Sequence, residues 1–175
     1  NDAICANKGD KACYVTGEDV TLNVFGGGDK VEIYKDSKLY KEIVINRKDT
    51  NLLLKKYPQG DYQARVVTGN KKSDYTRWKV IDVKVRIDKE KNRIYFSSAN
   101  ATPVYYEFCT ISGSRPVNGK RIYAAEFTKD QIKNGFVTVN APTAPTKGKL
   151  GCSFVKVHFE CDYGMVINKP VNWFK

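Results

Sequence analysis

The stretch Tyr57-Pro58-Gln59-Gly60-Asp61-Tyr62-Gln63-Ala64-Arg65-Val66-Val67 decides the fold of this chain. A predicted turn at 58–61 leads into a strand in which apolar and polar residues alternate. A second turn, at 68–72, returns the chain as another alternating stretch that contains Trp78. Two such strands predict the last hairpin of a small β-sandwich, in which the Tyr62 hydroxyl binds nearby backbone at the corner and Trp78 lies in the core.

The same two-residue period continues on both sides of this hairpin. Short alternating stretches separated by turn residues occur from Val20 onward, at the spacing of a sandwich of about seven strands. Near Asp82 one alternating series continues into a second without a Gly, Pro or Ser linker. We therefore predict an N-terminal segment at 1–16, a first β-sandwich at 17–81 and a second β-sandwich domain at 82–175.

One helix is expected in the second domain. Thr128 and Gln131 have the spacing of a capping box, and Gly135 can adopt the left-handed conformation that ends a helix. The predicted fold class is therefore all-β, with two tandem antiparallel β-sandwiches and one short helix in the second.

Composition and charge restrict the function only broadly. The chain of 175 residues has a formal net charge of +11, and its hydrophobic content of 41% is sufficient for a core. No apolar run is long enough to span a membrane. The basic residues are dispersed, which is typical of solvated strand faces. A surface attracted to anionic glycan, lipid or nucleic acid is the alternative, with nucleic acid the least favoured.

Five cysteines leave the redox environment open. Cys5 and Cys13 bracket a polar loop and are candidates for a disulfide that anchors the N-terminal segment. Cys109, Cys152 and Cys161 lie in strand-like stretches, where free thiols act as small buried hydrophobic groups. The spacing contains no CxxC pair, which argues against a zinc site or a thioredoxin-type redox site.

Residues for catalysis are scarce, so we expect no catalytic site, metal site or cofactor. His158 is the only histidine, and its alternation with Lys156 and Glu160 predicts a solvent-facing strand position. No Gly-x-Ser-x-Gly motif accompanies it. The Gly26-Gly27-Gly28 stretch lies between two strands and lacks the Gly-Lys-Ser/Thr of a phosphate loop.

The aromatic residues are the remaining candidates for ligand binding. Most of the 11 Tyr, 8 Phe and 2 Trp residues alternate onto predicted core faces. Tyr40 and Tyr105 are the candidates for exposed rings that could stack on a ligand.

The residues from Gly17 to Asp82 resemble immunoglobulin-like and fibronectin type III-like modules of bacterial cell-surface proteins. The resemblance is carried by four stretches, Gly17-Glu18-Asp19-Val20-Thr21-Leu22, Val31-Glu32-Ile33-Tyr34-Lys35-Asp36, Gly60-Asp61-Tyr62-Gln63-Ala64-Arg65-Val66 and Ser73-Asp74-Tyr75-Thr76-Arg77-Trp78. Similar modules occur in surface lipoproteins of Gram-negative bacteria, often near glycan-uptake systems. The resemblance implies an immunoglobulin-like fold and a secreted or outer-membrane-attached location, with a lipid anchor upstream of this chain. It transfers no functional residues.

Three function hypotheses follow from the residues and the resemblance. The favoured one is a non-catalytic binding or adhesion module of the cell surface, with a polysaccharide as ligand or a cell-surface protein as partner. The second is a structural spacer that presents a partner domain or protein. The third, least favoured, is an enzyme such as a carboxylate glycosidase. Because a fold does not determine a function, the ligand class depends on analogy.

Overall fold

The computed structural model describes residues 3–46, 50–111, 120–139 and 154–173. The chain divides into two compact units. The first contains the chain up to Asp82 together with Cys161–Gly164, and the second contains Val83–Glu160 together with the chain from Met165 onward.

The described residues of the first unit form two sheets. One sheet has the strand order β1-β3-β6, and the other has the order β2-β9-β7-β4-β5, with β8 paired to β7. The strands are β1 (Ala3–Ala6), β2 (Ala12–Val15), β3 (Val20–Phe25), β4 (Lys30–Lys35), β5 (Lys38–Val44), β6 (Thr50–Leu54), β7 (Gly60–Thr68), β8 (Lys71–Lys72) and β9 (Thr76–Ile81).

Alternation explains how these two sheets form a sandwich. In β3, Val20, Leu22 and Val24 are buried while the residues between them are more exposed. The inward residues of both sheets join one hydrophobic cluster. Strands β3 and β6 pair in one sheet, while β4, β7 and β9 lie side by side in the other. This is the strand arrangement of an immunoglobulin-like sandwich.

Residues that the sequence analysis set apart as an N-terminal segment form two of these strands. Strand β1 pairs antiparallel with β3, and strand β2 pairs parallel with β9. The chain changes sheets between β1 and β2, so β2 runs alongside the last strand of the unit in the same direction.

The corner and core predicted around Tyr62 and Trp78 are confirmed. The Tyr62 hydroxyl donates a hydrogen bond of 2.6 Å to the Pro58 carbonyl. The Tyr62 and Trp78 rings stack with centroids 5.3 Å apart and planes 5° apart, and both side chains are buried. Burial raises the pKa of the Tyr62 hydroxyl above that of an ordinary tyrosine.

The described residues of the second unit also form two sheets. Their strand orders are β10-β11-β14 and β13-β12-β15-β16, with β17 paired to β15. The elements are β10 (Val83–Asp88), β11 (Arg93–Ser98), β12 (Thr102–Ile111), β13 (Lys120–Glu126), α1 (Lys129–Asn134), β14 (Phe136–Thr138), β15 (Phe154–Cys161), β16 (Gly164–Ile167) and β17 (Val171–Asn172).

The second unit repeats the immunoglobulin-like arrangement, because β11 and β14 pair in one sheet while β12, β15 and β16 lie together in the other. The core includes Phe96 and Phe127, whose ring centroids are 4.1 Å apart. The predicted capping box is confirmed. Thr128 caps α1 through Gln131, and Gly135 ends the helix in the left-handed region with φ of 77°. The all-β fold class with one short helix is thus confirmed for the described residues.

A disulfide joins Cys13 to Cys161. The sequence left the pairing open, with Cys5 as one candidate partner of Cys13; in the structure Cys5 is instead free and partly exposed. The reason is the pairing of β2 with β9, which places Cys13 beside Lys79 and next to the returning 161–164 turn. In that turn Asp162 accepts a 2.9 Å hydrogen bond from Lys79. Cys152 lies outside the described residues.

Removing the Tyr62 hydroxyl should cause a measurable loss of stability. Replacing Tyr62 by Phe keeps the stacked ring but removes the hydrogen bond to Pro58, so we expect unfolding to become easier by about 1–2 kcal/mol. Tyr57→Phe is the matched control, because the Tyr57 ring is also buried and packs against the same corner, whereas the hydroxyl that bonds to Pro58 is that of Tyr62. Chemical denaturation measures both. Equal effects of the two substitutions would contradict the corner assignment.

The disulfide predicts a specific cross-link. Proteolysis of the unreduced protein followed by mass spectrometry should yield one peptide pair joined through Cys13 and Cys161, and reduction should separate the pair. Replacing both cysteines by Ala should lower the free energy of unfolding by about 2–5 kcal/mol, because the bond closes a long loop. A cross-link between Cys5 and Cys13 would contradict the pairing.

Candidate functional site

The outward face of the β10-β11-β14 sheet carries a row of arginine and aromatic side chains. Strand pairing aligns Arg86 with Tyr95, and Tyr95 with Phe136, so these three residues cross the sheet in one line. Ile94 and Val137, which alternate with them, are buried in the core. The alternation thus assigns the line to the solvent side of the sheet.

Arg86, Tyr95, Phe136 and Arg93 form one continuous cluster, which we name the arginine–aromatic row. The Arg86 guanidinium lies 4.1 Å from the Tyr95 ring centroid, and the Arg93 guanidinium lies 4.3 Å from that of Phe136. The two ring centroids are 5.5 Å apart. Each guanidinium therefore lies over a ring in cation–π geometry, which orients its N–H groups.

The row is electrostatically positive. Arg93 Nη1 donates a 3.5 Å hydrogen bond to the Tyr95 hydroxyl oxygen. This bond, reinforced by the charges of Arg93, Lys91 and Arg86, lowers the pKa of Tyr95. Among the described residues, no carboxylate lies within 4.0 Å of either guanidinium of the row. The nearest acid in register is Asp88, which pairs opposite Arg93, and its Oδ1 accepts a hydrogen bond from the Lys91 backbone.

A similar cluster in the first unit is internally neutralised. On the outward face of β4, β7 and β9, the Arg65 guanidinium lies 4.9 Å from the Tyr75 ring centroid. Its Nε also donates a 2.9 Å hydrogen bond to Glu32 Oε1, and Glu32 is only 8% exposed. This bond raises the pKa of Arg65. The carboxylate thus occupies the donors that an external anion would need.

Tyr40, the first candidate from the sequence, lies on β5. Its ring centroid is 5.5 Å from that of Tyr57 and 6.1 Å from that of Tyr62, in edge-on geometry. The residue is 41% exposed. One part of the ring packs against the corner aromatics and the rest faces solvent, so its role in binding stays a prediction.

Tyr105, the second candidate, lies on β12 opposite His158 on β15. The two rings stack with centroids 3.9 Å apart and planes 20° apart. His158 Nε2 is 3.4 Å from Glu107 Oε2. His158 is only 4% exposed, so the expectation that it faces solvent is wrong. Its strand position does alternate outward, but the cross-strand Tyr105 ring covers it.

The arginine–aromatic row was not evident from the sequence. The alternation of Arg86 and Tyr95 with apolar neighbours was visible, and it could have placed each residue on an outward face. Their alignment with Phe136 depends on the pairing of β11 with β14, which lies some forty residues further along the chain. Tyr40 and Tyr105 lie outside the row, on β5 and β12.

The chemistry available in the row is binding of anions. It presents two oriented guanidiniums and one phenol, with no nucleophile paired to a base. Within the described ranges, no three His, Cys, Asp or Glu side chains are grouped so that they could hold a metal ion. No helix in this part of the chain has the length and apolar character needed to cross a membrane.

Comparison with known proteins identifies no family. No family model and no curated protein sequence matches the chain. A structure of the human OSCAR ligand-binding domain is similar at 10% identity and a TM-score of 0.35, covering 98% of this chain and 97% of that one. Fibronectin(III)-like modules of CbhA from Clostridium thermocellum are similar at 14% identity and a TM-score of 0.35, with 97% and 90% covered. The Rst D1-D2 structure has 13% identity, a TM-score of 0.33 and 96% of each chain covered. Likenesses at these TM-scores carry no argument about this chain.

The burial of His158 predicts that the residue is structural. His158→Gln removes the ring that stacks on Tyr105, so we expect the free energy of unfolding to fall by about 1–3 kcal/mol. Glu160→Gln, on the same strand but exposed, should change it by no more than about 0.5 kcal/mol. Thermal and denaturant melts measure both variants. If His158→Gln left the free energy of unfolding unchanged, the result would contradict the structural role and support a solvent-facing His158.

The geometry of the row predicts the titration of Tyr95. The nearby cations favour the tyrosinate, so Tyr95 should ionise at a lower pH than an ordinary tyrosine, whose pKa is about 10. The ultraviolet difference titration between the parent protein and Tyr95→Phe isolates this one group. In the Arg93→Gln background the same difference should move to higher pH, because the main cause of the lowered pKa is removed. An unmoved transition would contradict the contact between Arg93 and Tyr95.

Proposed function

We propose that this protein is a non-catalytic binding module of the cell surface or the secreted space, and that its ligand is a polysaccharide. The observation that carries the proposal is the arginine–aromatic row, where two guanidiniums without carboxylate partners among the described residues lie on a solvent-facing sheet. Charged side chains that are held in place but have no carboxylate partner are suited to binding an external polar ligand.

Several properties favour a polysaccharide over other ligands. The ring faces already lie under guanidiniums, so nucleobases cannot stack on them as they do in single-strand binding proteins. Polar groups on a flat sheet can instead contact the hydroxyl and acidic groups of a chain of sugar units.

Two features support a secreted or cell-surface location, namely a disulfide and the resemblance of the first sandwich to surface modules. The Cys13–Cys161 disulfide is compatible with an oxidising environment outside the cytosol. The resemblance of the first sandwich to bacterial surface modules supports attachment to an outer membrane, through a lipid anchor upstream of this chain.

The absence of catalysis is also part of the proposal. His158, the only histidine of the chain, is buried under Tyr105 on the other sheet of the second unit. The row itself holds no pair of carboxylates that could act as acid and base on a glycosidic bond.

A spacer is the second candidate, and one observation favours it. Only Asp82 separates β9 from β10, so the chain passes between the units without a flexible linker. A spacer would need this short connection but would not need unpaired arginines on an exposed sheet.

Affinity electrophoresis of the whole protein distinguishes the candidates. The gels contain dextran, xylan, alginate or polygalacturonate. At least one of these polysaccharides should retard the protein, and the protein should release no reducing ends from any of them. A globular protein of similar size and positive net charge, run in the same gels, controls for general retardation by charge. Migration unchanged in every gel would contradict the binding module and favour the spacer, while release of reducing ends would contradict the absence of catalysis.

A further inference from the structure

We propose that the arginine–aromatic row binds the carboxylates of an acidic polysaccharide, one carboxylate to each stacked guanidinium. This inference rests on the proposed function and deepens it by naming the site and the chemical class of the ligand.

The charge of the arginine–aromatic row and its neighbours favours an anionic ligand. Arg86 and Arg93 are accompanied by Lys84, which precedes Arg86 by two residues and so shares its strand face, and by Lys91 in the adjoining turn. The acid closest in register, Asp88, accepts a hydrogen bond from the Lys91 backbone. Asp88 lies opposite Arg93 and Glu90 lies in the same turn, but the basic residues outnumber these two acids. The surface therefore carries a net positive charge, which an anionic ligand complements.

The surfaces of the row that a ligand can reach favour a carboxylate over a neutral sugar. The guanidiniums lie 4.1 Å and 4.3 Å from the centroids of Tyr95 and Phe136, so they cover ring faces on which a neutral sugar would otherwise stack. Among the described residues, Arg93 uses one of its five N–H donors for the Tyr95 hydroxyl and neither guanidinium contacts a carboxylate, so N–H donors of both remain for a ligand. A planar carboxylate accepts two parallel hydrogen bonds from one guanidinium edge, whereas a hydroxyl cannot.

The guanidinium donors are held in place before a ligand binds. Each guanidinium rests on a ring, and Arg93 also donates to the Tyr95 hydroxyl at 3.5 Å. A side chain that is already ordered loses less conformational freedom when the ligand binds. By contrast, the Arg65 guanidinium in the first unit lies 4.9 Å from the Tyr75 ring centroid, and its Nε donates to Glu32. We therefore expect the acidic ligand to bind at the second unit.

The test compares the whole protein with two variants of equal net charge. Arg86→Gln combined with Arg93→Gln removes both guanidiniums from the row. Lys71→Gln combined with Lys72→Gln removes two exposed charges from β8 of the first unit. Each pair lowers the formal net charge from +11 by two, so general attraction to a polyanion is matched. Melting curves verify that all proteins are folded.

Binding is measured with immobilised polygalacturonate, and with dextran as the neutral counterpart. The parent protein should bind polygalacturonate and not dextran, and added salt should weaken the binding. The arginine double variant should lose about 100-fold in affinity, since each lost charge-assisted pair is worth about tenfold. The lysine double variant should lose less than about threefold, an effect expected from screened long-range charge.

A third variant separates guanidinium recognition from charge alone. Arg86→Lys combined with Arg93→Lys keeps the net charge, but an ammonium group cannot form the two parallel hydrogen bonds. We expect this variant to lose about tenfold or more. Parent-like affinity would contradict recognition by the guanidinium edges.

Other outcomes overturn the inference in distinguishable ways. Equal losses in the arginine and lysine double variants would indicate attraction to a polyanion without a site. Tight binding of dextran that survives the arginine substitutions would leave the proposed function standing but place the site elsewhere. Tighter binding to a single-stranded DNA oligonucleotide, to phosphatidylglycerol vesicles or to dextran sulfate would assign the row to a different anion. No binding to any polysaccharide would overturn the proposed function as well.

Discussion

Residues directly opposite each other on paired strands share one face of a sheet, and the rest of this structure depends on that constraint. In the first unit it pairs Tyr62 with Trp78 on the inward side, where their stacked rings and the hydrogen bond to Pro58 hold the corner. Immunoglobulin domains commonly place a cysteine two residues after this tyrosine. Here that position is Ala64, so packing replaces an inter-sheet disulfide. The Trp78 ring nitrogen is buried and has no hydrogen-bond partner among the described residues, so this side chain stabilises the core through ring packing.

The same constraint arranges the outward side of the second unit. It brings Arg86, Tyr95 and Phe136 into one line, although they come from three strands. Because side chains on this face do not build the core, their positions can serve a ligand without loss of stability. Arg65 in the first unit differs, because its Nε donates a hydrogen bond to the buried carboxylate of Glu32 in the same unit. In the proposed binding surface the stacked Arg86 and Arg93 have no carboxylate partner among the described residues, and this is what distinguishes them from Arg65.

Local features could be predicted from the sequence, whereas features that depend on long-range pairing could not. The Tyr62 corner and the Thr128 capping box each involve residues only three or four positions apart, so turn and cap chemistry sufficed. The burial of His158 requires Tyr105, more than fifty residues away, to lie opposite it. The disulfide likewise joins residues 148 positions apart. Alternation assigns each side chain to a face, but it does not reveal which strands are neighbours.

The most direct test of the binding surface is to map it with a short acidic ligand. Amide chemical shifts of the isotope-labelled protein can be followed by NMR as oligogalacturonate is added, with an uncharged malto-oligosaccharide of equal length as control. The account predicts that the changes concentrate in β10, β11 and β14, and that the control produces none there. Changes confined to the first unit, or identical changes with both oligosaccharides, would contradict it.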